Sequence, residues 1–154
     1  MIAKHCLWSA VERVLLALWV GALCAVGFVV APVLFAQLDR HTAGTLAGIL
    51  FQYLNYAGLV IGSVLLLRNR STAAMALNAP AILLVLMLVS ILCNEFGLAP
   101  QISALRETGF TEGTAAATRF GQLHAAASVL YLINVLFGLT LLVIGVRPCA
   151  RESL

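Results

Sequence analysis

The chain has 154 residues, 62% of them hydrophobic and only 10% charged, with a mean hydropathy of +1.05, whereas an ordinary soluble domain carries about 25% charged residues. That excludes a water-soluble fold of this size, because only lipid can take the place of the missing protein interior, and the length leaves room for one compact bundle without a second soluble domain. The net charge of +3 is spread over loops and termini, which excludes a nucleic-acid surface, since that needs a gathered basic patch.

The first predicted element is an uncharged run from Val14 to Phe35, VLLALWVGALCAVGFVVAPVLF, long enough to cross about 30 Å of hydrocarbon at 1.5 Å per residue. It is read as an uncleaved helix: the run exceeds the apolar core of a signal peptide, and Phe35 stands where a cleavage site needs a small residue. Pro32 cannot donate to the carbonyl of Phe28, so a bend near the outer end is expected. A polar turn, Gln37 to Thr42, leads to span two at about residues 44–67, which stops at Arg68-Asn69-Arg70. Span three is expected at about 79–99, with Asn78 as cap, Pro80 in the first turn and Pro100 as the stop. Residues 100–120 read as an outer loop: an amphipathic turn with Ile102 and Leu105 toward the bundle or lipid, a break at Gly109, and Thr111 capping an Ala-rich helix that leads into span four. Span four is expected at about 121–146, closed by Arg147-Pro148. The fold class is therefore all-α, a polytopic four-helix transmembrane bundle, since membrane strands would alternate apolar and polar residues.

An even number of spans puts both termini and the second loop on one side, with Lys4, Arg13, Arg68, Arg70, Arg147 and Arg151. The other side holds Arg40, Arg106 and Arg119 beside Asp39, Glu107 and Glu112. The positive-inside rule then predicts cytoplasmic ends, and short loops suit a bacterial inner membrane. Cys6, Cys24, Cys93 and Cys149 show neither a CxxC pair nor zinc spacing and are read as independent small hydrophobes.

Helices in lipid are held by close approach and hydrogen bonds. Small residues at four-residue spacing predict the approach: Ala17, Gly21 and Ala25 on span one, and Gly44 with Gly48 and Gly58 with Gly62 on span two. Polar residues predict two inward stripes. One is Gly48, Gln52, Asn55, Tyr56 and Ser63 on span two; the other is His124, Ser128, Tyr131 and Gly138 on span four. Span three adds Asn94 and Glu95. Counting from Pro100 and Gly121, Glu95 and His124 should lie at similar depth, one to two turns from the outer interface. An ionisable group inside a membrane helix costs about 2.5–3.5 kcal/mol at the centre, so it is a functional candidate that calls for protonation, pairing or a ligand. The candidate ligand-binding set is Glu95, His124, Asn94, Gln52, Asn55 and Ser128. For a metal, His41 could join His124 and Glu95 as two histidines and a carboxylate, though nothing in the spacing requires one. A plain structural role, water contact or a register-fixing hydrogen bond, competes with each of these.

From Phe120-Gly121-Gln122-Leu123-His124 through Ser128 and Tyr131 to Asn134 the sequence resembles the transmembrane-protein-205-like domain, a four-helix membrane family of unknown function. The family's Leu-His-Gly stands here as Leu123-His124-Ala125; Leu18-Trp19-Val20-Gly21, Ala31 to Phe35 and Pro100-Gln101-Ile102 leading to Leu105 are also similar. The resemblance implies four spans and marks His124, but lends no reaction, and Ala125 departs from its pattern.

Catalytic signatures such as GxSxG, HExxH or a phosphate-binding glycine loop are not present in the sequence. The leading expectation is a non-enzymatic membrane protein that binds a small ligand, ion or partner at an outer-half site built on Glu95 and His124, without a cofactor. The alternatives are a small proton-coupled transporter or channel subunit, and a haem or metal redox protein using His124. Expected partners are the bilayer and a second copy or another membrane protein, and not nucleic acid.

Overall fold

The computed structural model describes residues 2–70, 78–111 and 113–146, and side chains from Leu7 to Asn69 and onward from Asn78 within those ranges. The expected closing pair Arg147-Pro148, Cys149, Arg151 and Glu112 lie outside the described residues, as do the side chains of Lys4, Cys6 and Arg70. The described chain is all-helical, with no strand. Helix α1, Ile2–Ala25, passes through a π-helical turn, Val26–Val30, into α2, Ala31–Gln37. Helix α3 runs over Arg40–Arg70. Helix α4, Ala79–Leu92, continues through a second π turn, Cys93–Leu98, into α5, Ala99–Thr108, and α6 is Ala115–Ile144.

Four continuous helices, Leu7–Gln37, Arg40–Asn69, Ala79–Thr108 and Ala115–Ile144, are long and apolar enough to cross a membrane. At 30 or 31 residues each they are about 45 Å long, well beyond the roughly 30 Å of hydrocarbon. The outward surface is correspondingly apolar, with Val143 85%, Tyr53 70% and Leu67 67% exposed, as lipid-facing positions require.

Proline shapes the first and third helices without ending them. In a regular helix the rings of Pro32 and Pro100 would strike the carbonyls of Phe28 and Phe96. Both carbonyls fall inside the π turns, where Ala31 and Ala99 donate five residues back, to Val26 and Asn94, and the wider turn relieves the clash. Pro100 is thus not the stop that its residue type suggested; the third helix ends at Gly109, with φ at +66°, a conformation that favours glycine.

The caps are local chemistry. Asp39 Oδ1 accepts from the backbone N–H of Thr42 at 3.0 Å and starts α3 earlier than span two was expected to begin. Asn78 Oδ1 accepts from Ala81 N–H at 2.9 Å. Thr114, not Thr111, caps α6 by accepting from Ala117 N–H at 3.3 Å, because Gly113 at φ +86° turns the chain just before it.

The helices form an up-down bundle whose main contacts run α1 to α3, α3 to α4, α4 to α6 and α6 back to α1. Leu16, Trp19, Val20, Leu65, Leu84, Met87, Val135 and Leu141 fill its centre. Close approach is made at four glycines. A methyl at Gly58 would lie 2.7 Å from the Trp19 ring, one at Gly62 2.9 Å from Leu88, one at Gly27 2.5 Å from Tyr131 and one at Gly138 2.6 Å from Val20. The stripe Ala17, Gly21 and Ala25 turns outward instead: all three are exposed, and Gly21 has nothing within 4 Å.

Candidate functional site

Three of the four long helices have a polar or cavity-lining residue at the midpoint. Asn55 is the middle residue of Arg40–Arg70. Asn94 is one of the two middle residues of Ala79–Thr108, with Glu95 next to it, and Leu130 is one of the two of Ala115–Ile144. Because the third helix carries on through Pro100, Glu95 sits at mid-height and not one or two turns from an end.

Glu95 is 6% exposed and accepts a hydrogen bond from Asn55 Nδ2 at 2.9 Å, across α3 and the second π turn. Beside it, Asn134 Nδ2 donates to Ser90 Oγ at 3.0 Å, and that hydroxyl donates to the Leu130 carbonyl at 3.3 Å. The Tyr131 hydroxyl donates to the carbonyl of Leu23, which fixes α6 against α1. A small cavity lies among Leu23, Asn55, Ile91, Asn94, Tyr131 and Asn134. Asn94 Oδ1 and Asn134 Oδ1 are buried there without a hydrogen-bond partner.

Of the predicted site residues, the bundle brings together Glu95, Asn55 and Asn94. Gln52 is on the exposed face of α3, where its Nε2 donates to the Tyr56 hydroxyl at 3.4 Å; Ser63 is exposed as well, so that stripe splits and Asn55 alone of its polar side chains is buried. Ser128 is exposed and donates to the His124 carbonyl at 2.9 Å. His124 does not pair with Glu95. It is exposed and lies parallel to Phe120, 6.0 Å between ring centres and 3° between planes. Phe120 in turn meets Phe110 at 4.9 Å and the Arg106 guanidinium at 5.9 Å. Arg106 Nη1 donates to the Gly44 carbonyl at 2.8 Å, over a surface left open by Gly44 and Gly48. His124 therefore belongs to a clasp that ties α5 and α6 to the start of α3. His41 is exposed in the first turn of α3, and no group of three His, Cys, Asp or Glu able to hold a metal forms among the described residues.

Sequence reasoning passed over Asn134 as a packing residue and did not single out Ser90, although Ser90 lies one turn before Asn94 on the same helix. It also missed Glu12, 3% exposed, which accepts from Arg68 Nε at 2.7 Å while Trp8 stacks under that guanidinium at 4.5 Å. An acid two residues ahead of an apolar span was the available signal.

Fold and site together define a small multi-pass helical membrane protein with a polar cluster at the centre of its bundle. Residues 14–111 match a family described as a domain of unknown function, DUF4149, and since that is more than half of the chain, the protein belongs to this family. The matched stretch ends before α6, so the resemblance at Phe120 to Asn134 falls outside it, and the match gives no support to the transmembrane-protein-205-like name. Neither the curated proteins nor the solved structures give a match.

Proposed function

We propose that this protein is a non-enzymatic membrane protein that binds a small polar ligand or ion inside the bundle, at Glu95, Asn55 and Asn94. The carrying observation is Glu95 itself: a carboxyl almost fully removed from solvent, halfway along a membrane-length helix, and hydrogen-bonded by the Asn55 amide. Structure alone would be served more cheaply by an apolar residue, because ionisable groups at such depth are costly and mark sites. The binding reading keeps Glu95, near the middle of its helix, and loses His124. Cytoplasmic ends and an inner-membrane location remain part of this proposal, resting on the Lys and Arg distribution. So does kinship with the transmembrane-protein-205-like domain, resting on Leu123-His124, Ser128 and Asn134.

The test is thermal unfolding of the full chain in nanodiscs against a panel of monovalent and divalent cations, small amines and small organic acids. At least one should raise the melting temperature in the wild type and fail to do so in Glu95→Gln. If no compound separates the two proteins, the reading fails.

A proton-coupled carrier is the second reading, favoured by the mid-height position of Glu95, where transporters place their coupling groups. The cavity beside Glu95 has room for one water-sized molecule, so a path through this site would require a second copy or another membrane protein. Proton flux into proteoliposomes that is indifferent to Glu95→Gln would remove it.

A further inference from the structure

The cavity between the helices has a volume of about 10 Å³, room for one water-sized molecule. Wholly apolar voids stay dry, whereas polar ones recruit an occupant that satisfies their walls. Here two wall groups, Asn94 Oδ1 and Asn134 Oδ1, are buried acceptors with no donor, and Asn134 is 5% exposed. Buried amide oxygens are nearly always bonded, so an orphaned pair on two residues that line one void calls for a donor. No side chain among the described residues bonds either oxygen. One N–H of the Asn134 amide goes to Ser90, whose hydroxyl proton goes to the Leu130 carbonyl. The Tyr131 hydroxyl, also in the wall, already donates to Leu23. Leu23 and Ile91 complete the wall with hydrocarbon.

We propose that the cavity binds a single water-sized hydrogen-bond donor that donates to Asn94 Oδ1 and Asn134 Oδ1 at once. Water meets this with its two O–H groups. The ammonium ion is of similar size, has N–H groups to spare, and would bring positive charge next to Glu95. A divalent metal does not fit, since calcium or magnesium takes at least six oxygen ligands and the wall offers two unpartnered ones. The occupant bridges Asn134, bonded to Ser90 on α4, to Asn94 in the second π turn, beside the Asn55–Glu95 pair. The proposal rests on the reading of the Glu95 cluster as a binding site and names its ligand class.

Side-chain amides of asparagine in the ¹⁵N-labelled full chain in nanodiscs report the occupant through magnetisation transfer from water. The Asn134 amide should show a cross-peak to a long-lived water, lost when Ile91→Phe fills the cavity while the fold, read by circular dichroism, is kept. Melting in ammonium chloride against equal sodium chloride separates the two occupants. A rise specific to ammonium and absent in Glu95→Gln identifies ammonium; equal melting with the cross-peak present identifies water. With neither a cross-peak nor an ammonium-specific rise in the wild type, the cavity is dry and the proposal is overturned. Should another compound still stabilise the protein through Glu95 in that case, the broader binding reading survives.

Discussion

Glu95 and Asn55 are mutually dependent. Asn55→Leu leaves the Glu95 carboxyl without its donor at 2.9 Å and without water to replace it. Reversible unfolding in mixed detergent should show a loss of about 1–3 kcal/mol. Glu95→Gln keeps an oxygen for Asn55 and removes the ionisable group, so it should cost less than Asn55→Leu. The opposite order would show that the carboxyl of Glu95 contributes more than its hydrogen bond with Asn55. Glycines give a second test at the same scale. A methyl added at Gly58 meets the Trp19 indole at 2.7–2.8 Å, so Gly58→Ala should destabilise by about 1–3 kcal/mol through overpacking. Gly21→Ala, in open space, should stay within about 0.5 kcal/mol. The same residue type at similar spacing thus has opposite meanings on two helices.

Among the elements, the start of α3 carries a pH dependence. Asp39 lies between α2 and α3, and the Thr42 backbone N–H holds its carboxyl below the ordinary aspartate value of 3.8. The folded value is depressed, so the cap's stabilisation is complete above 3.8 and disappears as pH falls through the lower folded value. Asp39→Asn retains a capping oxygen and should flatten that acid-side decline in a melting curve measured against pH; an unchanged decline would place its origin in another group. The π turns act on a larger scale. Each is a wider turn than the α-helix around it, so a helical wheel drawn at 100° per residue loses phase on crossing 93–98. This is why Glu95 and Asn55 could each be recognised as inward polar residues from type and position, while their direct hydrogen bond could not.

At the level of the whole molecule, the two ends are fastened differently. Arg68 reaches the buried Glu12 at one end, and Arg106 lies over Gly44 beside the Phe120 and His124 rings at the other. With four membrane-length helices, both termini must share a side. Epitope tags at the N- and C-termini should be equally inaccessible to antibody in intact spheroplasts, with a tag inserted at Gly113 accessible. Accessible termini would reverse the orientation drawn from Lys and Arg, and a split result would contradict the four crossings.

The amino-acid sequence by itself determined the all-helical membrane class, the four long apolar segments, the Asn78 cap and the inward placement of Glu95 and Asn55. These follow from composition, segment length and residue chemistry, which act locally or through the lipid. Only the tertiary structure decided that Pro100 is absorbed by a π turn, that His124 and Ser128 face outward, and that Asn134 and Ser90 join the centre. Each depends on how far a helix continues and which neighbour it meets at a given height. Those are properties of the packed bundle: a polar group finds its partner only after all four axes are in place, and no single helix contains that information.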